Sequence, residues 1–217
     1  MAEEFRTGTA TNADGSRVPA ALGRDGILLS REHILAYKLR GRVFGVQQGD
    51  AGSKLDFAEI LYDEDQPQFA LRVPTNIVVA PISLAITLED LTGTENHVIW
   101  SFATNDIGSG TSTALTSFNM RPGASNPVSQ CVARSLYTVN ATAATGLQEF
   151  KRWYRPFASA AVTDGHKPED YLLDILKDIC MPVLVGPATL QVHIYGGTAP
   201  QGFGEYIWLE LSKDDII

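Results

Sequence analysis

The stretch Pro182–Leu211 restricts the fold more than any other part of the chain. Leu190, Val192 and Ile194 alternate with Gln191 and His193, and farther on Tyr206, Trp208 and Glu210 alternate with Ile207, Leu209 and Leu211. Side chains two residues apart share one face of a strand, so each run reads as a strand with one buried face. Gly186-Pro187 breaks the chain before the first run, and a glycine-rich loop, Gly196 to Gly204, separates the two. The pair reads as the closing hairpin of a β-sandwich, with His193 on the outward phase, at the surface or an interface.

The same signal recurs upstream. Phe69 to Val73 is a strand stopped by Pro74, and Ile77 to Ala80 meets Pro81, which points to an edge or a bulge. Ile82 to Leu88, Val98 to Ala103 with Trp100, and Cys131 to Val139 follow. Thr104 to Thr116 is a long Gly/Ser/Thr loop of the kind found at functional sites or interfaces. Two segments carry helical signals. In Pro168 to Cys180, Leu172, Ile175, Leu176 and Ile179 fall on one helical stripe behind an acidic first turn, which predicts the one short helix. After Ser30, Arg31-Glu32-His33 opens like a capped helix, although Tyr37, Leu39 and Val43 also fit a strand. Residues 1–26 show no hydrophobic period and read as an extended arm; 27–217 read as a single sandwich domain.

A chain of 217 residues with 44% hydrophobic and 19% charged residues can bury a sizeable core. Its net charge of −8 is unevenly spread: residues 1–45 hold seven Lys/Arg against five Asp/Glu, a balance of +2, and the remainder ten against twenty, a balance of −10. An acidic body weighs against nucleic acid as a partner, because phosphate contacts need clustered cations. No run is long enough to span a bilayer, and the opening residues lack a signal-peptide pattern, so synthesis in a cytosol is expected. Cys131 and Cys180 are expected as free, buried thiols.

Site chemistry is missing from the sequence. The histidines at 33, 97, 166 and 193 are isolated, with no HxH pair and no CxxC, so no metal site is expected. GxSxG, GxGxxG and GxxxxGK[ST] are missing too, which leaves no catalytic residue and no cofactor to expect, and a non-enzymatic role. Trp153 and Tyr154 lie among Lys151, Arg152 and Arg155, a mixture suited to an interface strand.

Three segments carry a family resemblance. Leu22 to Ser30 through Tyr37 and then Arg40-Gly41-Arg42-Val43-Phe44, Phe118-Asn119-Met120-Arg121, and Gly186-Pro187 with the closing Ile207-Trp208-Leu209-Glu210 resemble the strand-entry, L-N-M-R and P-G-x-L/h-x-W-x-E motifs of virion structural proteins of tailed bacteriophages. The resemblance implies an all-β, jelly-roll-like antiparallel sandwich that decorates or cements the outer surface of a phage head. It implies a homotrimer bound between capsomers, with the major capsid protein as partner and neither nucleic acid nor membrane involved. In that reading Arg17, Arg24, Arg31, Arg40 and Arg42 contact the shell, and Trp153, Tyr154 and Trp208 pack the core or the trimer. A receptor-binding or fibre-tip sandwich, and a glycan-active enzyme on a sandwich, are the alternatives.

Overall fold

The computed structural model describes residues 7–11, 17–21, 31–50, 53–57, 61–90, 95–123, 126–156, 169–174, 181–196 and 200–215. In chain order the elements are β1 (Thr7–Thr11), β2 (Arg17–Ala21), α1 (Arg31–Leu39), β3 (Val43–Gln48), β4 (Leu55–Asp56), β5 (Phe69–Val73), β6 (Ile77–Asp90) and β7 (Glu95–Ala103). They continue with β8 (Thr111–Ala114), β9 (Phe118–Asn119), β10 (Val132–Val139), β11 (Gln148–Pro156), β12 (Glu169–Asp174), β13 (Leu184–Val185), β14 (Ala188–Gly196) and β15 (Gln201–Ser212).

Two antiparallel sheets face each other. One runs β12-β6-β15-β3-β9, with β13 on β6 and β4 on β15, and the other runs β11-β7-β14-β5-β10-β8. Eight strands, β3, β5, β6, β7, β11, β12, β14 and β15, form the frame. Ranked one to eight along the chain, they lie in the orders 6-3-8-1 and 5-4-7-2. That is the winding of a jelly roll, in which successive strands alternate between facing sheets except for the fourth and fifth, which pair with each other. The segment between β7 and β11 is an elaboration. It adds β9 beside β3 and β10 and β8 beside β5, lengthening both sheets on one flank of the sandwich. Within the segment read as an arm, β1 and β2 form an antiparallel hairpin pairing Thr7 with Ala21 and Thr11 with Arg17.

Period-two burial builds the core. Leu190, Val192 and Ile194 of β14 share one core with Tyr206 and Trp208 of β15, joined by Phe69 and Trp100 from the sheet of β14 and Leu84 and Ile86 from the sheet of β15. Phe69 stacks on Tyr206 with ring centroids 3.6 Å apart. The Tyr206 hydroxyl donates to Gln48 Oε1 at 2.8 Å, and Gln48 Nε2 donates to the Gln68 carbonyl at 2.7 Å, so a satisfied polar chain crosses between the sheets inside the core. β6 runs through Pro81, where its register with β15 shifts between Ile207 and Trp208, giving the bulge its proline predicts.

Three sequence expectations are corrected. Glu169 to Asp174 is a strand on β6 rather than the start of a helix, with Leu173 buried and Leu172 46% exposed. Leu172 and Leu173 fit either period locally, and pairing with the long β6 decides between them; Ile175, Leu176 and Ile179 lie outside the described residues. Among the described residues the α-helix is α1, with Ile34 and Tyr37 half-buried and Leu35 and Leu39 exposed. Second, β14 and β15 are not a hairpin: β14 pairs β5 and β7, while β15 pairs β3 and β6 in the other sheet. Third, His193 is 2% exposed. The outer face of its sheet is covered by chain from 61–68 and by Ile107, Ala144 and Leu147, so both phases of β14 are buried.

That cover is held by charge. Arg72 grips Asp106 with two bonds, Nε to Oδ1 at 2.5 Å and Nη2 to Oδ2 at 2.8 Å, and reaches Ser109 Oγ at 2.7 Å. The Arg72 bond holds the Asp106 carboxyl below the usual carboxylate range. The Thr104 to Thr116 stretch is therefore a fastened flap ending in β8.

Gly186 sits where a Cβ would come 1.9 Å from the Pro74 carbonyl oxygen, while its own N–H donates to the Ile77 carbonyl at 2.9 Å. Because the obstacle is backbone, Gly186→Ala is expected to cost about 2 kcal/mol through forced displacement, read as a lower urea midpoint at unchanged m-value.

Candidate functional site

The described parts of the segments behind the family resemblance meet at one end of the sandwich, while Leu22 to Ser30 lie outside the described residues. Phe44 pairs with Asn119 and Gly45 with Phe118 on one side of β3, and Phe44 pairs with Trp208 and Val43 with Leu209 on the other. Residues far apart in the chain thus become three adjacent strands. Leu184 and Glu210 both pair with Val79, which brings the segment before Gly186-Pro187 to the same end.

Asn119 is the bracket of this junction. Its Nδ2 donates to the Gly41 carbonyl at 2.9 Å and to the Pro127 carbonyl at 3.0 Å, and its Oδ1 accepts from Arg121 N at 2.9 Å. Three backbone groups that would otherwise need water are satisfied by one amide. Arg121 Nη1 then donates to the Leu39 carbonyl at 2.9 Å, a cationic cap on the C-terminus of α1. Gly41 turns the chain from α1 into β3 at φ +68°, a conformation glycine adopts without strain, and a Cβ there would stand 3.0 Å from Pro127. Phe118 lies over Gly45, with ring atoms 3.1 Å from where a Cβ would be.

Glu210 is the second hub. It is buried, on the same strand face as Trp208, and its carboxyl group accepts from Trp208 Nε1 at 2.8 Å, from Gln130 N at 3.0 Å and from the Ser129 hydroxyl. The W-x-E spacing puts acceptor and indole on one side of β15, and the two remaining donors come from the chain entering β10. Beside it, Cys131 is a free, buried thiol whose ionisation is pushed up by burial and then by the Glu210 charge; Cys180 lies outside the described residues. The sequence signal for Glu210 was its place in the Tyr206, Trp208, Glu210 alternation. Asn119 stands in sequence only as part of the Phe118–Arg121 motif; no local pattern marks its bracing role, because Gly41 and Pro127 lie in other segments.

The expected site residues separate. Arg40 is exposed in the turn after α1 and Arg42 is half-buried at the start of β3, so both belong to the junction. Arg17 stands in β2 and Arg31 in α1, with side chains outside the described residues, as is all of Arg24. Trp208 is core, and Trp153 packs edge-on against Trp100 at 6.1 Å with Lys151 Nζ 5.5 Å from its ring. Tyr154 is 54% exposed on the outer sheet face. There it begins an aromatic row across three strands: Tyr154 to His97 at 4.7 Å, His97 stacked on Tyr195 at 4.4 Å, and Tyr195 to Tyr62 at 5.8 Å. The Arg152–Glu149 ion pair flanks it.

Among the described residues no three His, Cys, Asp or Glu side chains are grouped to hold a metal ion, and no helix is long and apolar enough to cross a membrane. Comparison with family models, with curated proteins and with solved structures returned no match.

Proposed function

We propose that the chain is a structural protein of a tailed-bacteriophage virion that cements the outside of the head as a homotrimer between capsomers, without catalytic activity. The observation that carries this reading is the convergence at one end of a jelly roll of the described parts of the segments that resemble the virion proteins, with Asn119 and Glu210 as their shared fasteners. The partner is the major capsid protein. A trimer binds it through avidity, because docking one subunit raises the effective concentration of the other two.

The aromatic row favours a second reading, a receptor-binding module, because half-exposed tyrosines beside an ion pair suit recognition of a cell-surface ligand. Light scattering of the full chain, followed by co-sedimentation with empty heads of the virus that encodes it, separates the two. The first reading expects three times the 23.5 kDa chain mass and pelleting with heads, weakened in R17E/R24E. A trimer that ignores heads and adheres to host cells moves the assignment to the second reading, and a monomer that does neither overturns both.

A further inference from the structure

The junction also presents a surface. Leu35 and Leu39, one turn apart on the outer side of α1, are 55% and 65% exposed, Phe118 is 45% exposed and Val128 is 85% exposed. Contacts of their chain neighbours bring Leu39, Phe118 and Val128 to one end of the sandwich, with Leu35 one turn back along α1. Leu39 gives its carbonyl to Arg121, three residues beyond Phe118, and Pro127, next to Val128, packs on Gly41. Large apolar side chains gathered at one place on the surface mark an interaction site, whereas scattered ones need no explanation.

The described charged side chains beside them are basic. Lys38, Arg40 and Arg42 lie on α1 and the turn into β3, and Arg121 follows β9, with no Asp or Glu among residues 34–49 or 107–123; Glu32, in the first turn of α1, has its side chain outside the described residues. The chain as a whole carries −8, so its carboxylates are concentrated elsewhere. Glu210, the carboxyl group brought to the junction by β15, is buried and satisfied by Trp208, Ser129 and Gln130. Arg40 and Arg121 are exposed and Lys38 half-buried.

We infer that the face of α1 and β9 is the docking surface for the head shell, and that the shell presents to it an acidic protein surface with an apolar centre. This rests on the cement reading and goes beyond it by naming the face and the chemistry of its partner. The apolar centre supplies area removed from water, and the basic rim steers encounter and sets register against a surface of opposite sign, while the acidic remainder of the chain is repelled from that surface. The orientation of the bound subunit follows: β3 and β9 lie toward the shell, and β12, at the opposite edge of the same sheet, lies away from it.

The experiment is co-sedimentation of the full chain with empty heads over roughly one decade of salt, about 0.05 to 0.5 M NaCl. Wild type is compared with K38E/R40E, L35S/L39S and, as a control on the far edge, L172S. The altered side chains are all at least partly exposed, and a urea midpoint for each variant checks the fold. Both junction variants are expected to lose about tenfold or more in affinity, L172S to match wild type, and wild-type binding to weaken with salt more steeply than that of K38E/R40E. Wild type that binds heads while both junction variants bind equally well overturns the face and leaves the cement reading standing. Wild type that fails to bind heads at any salt overturns the cement reading and this inference with it.

Discussion

Glu210→Leu is expected to lower stability by about 4 kcal/mol, the largest loss from any single side chain at the junction. Leucine fills similar volume but leaves the Trp208 indole N–H and the Gln130 N–H facing an apolar group, while the Ser129 hydroxyl keeps the Cys131 carbonyl at 3.2 Å as an acceptor. Each orphaned buried donor costs roughly 1–3 kcal/mol, and partial relaxation toward water keeps the total below the sum of the maxima. Glu210→Gln should cost about half as much, since one amide oxygen still accepts while the NH₂ meets donors. Glu205→Gln, on an exposed side chain of the same strand, should stay within about 0.5 kcal/mol of wild type. Urea midpoints measure all three. A second readout isolates the mechanism: freeing the segment 129–131 exposes Cys131, so a thiol-reactive probe should label native Glu210→Leu faster than wild type. Equal labelling together with a loss below about 1 kcal/mol would falsify the hub role of Glu210.

The parts of this fold that one strand decides by itself were legible in the sequence. Leu190, Val192 and Ile194 point inward as their alternation requires and Pro81 marks a bulge, whereas the alternation of Tyr206, Trp208 and Glu210 with Ile207, Leu209 and Leu211 does not by itself say which phase is buried. Alternation records which side of a strand meets the core and nothing about which sheet holds the strand. That is why β14 and β15, neighbours in sequence with similar patterns, read as a hairpin although they lie in facing sheets. It also records only one covering. His193 sits on the phase opposite the core, and its burial depends on chain from 61–68 that no local pattern ties to β14. Leu172 failed for the reverse reason: a few apolar residues satisfied a helical stripe, and the long strand β6 offered a stronger partner. At the junction the motifs were visible as separate segments, whereas Asn119 acquires its role only when folding places Gly41 and Pro127 within reach.

The burial of His193 has a measurable consequence for acid stability. Its ring lies 5.0 Å from the Tyr62 ring, with Nε2 3.2 Å from Gln191 Oε1, and it is 2% exposed. Burial lowers its pKa from 6.5 to about 4, and the backbone and charge of Asp63 offset only part of that shift. In the unfolded chain the imidazole takes up a proton as pH falls through 6.5, while the folded protein holds it neutral until about 4. The unfolded state therefore binds more protons across this window, and stability present above 6.5 is lost progressively as pH drops toward 4. At 1.36 kcal/mol per pKa unit the full loss is roughly 3 kcal/mol. Urea unfolding between pH 7.5 and 5 examines the upper part of the window, before most carboxylates titrate. Wild type should lose about 2 kcal/mol over that interval. His193→Gln should start lower, since it repacks a buried site, and yet run nearly flat. If the variant loses stability with the same slope as wild type, the proton uptake belongs to another group and the ring is not held neutral by its burial. A flat variant beside a sloping wild type instead makes the cover of Tyr62 and Asp63 over β14 the first part of the sandwich to open in acid, ahead of the junction.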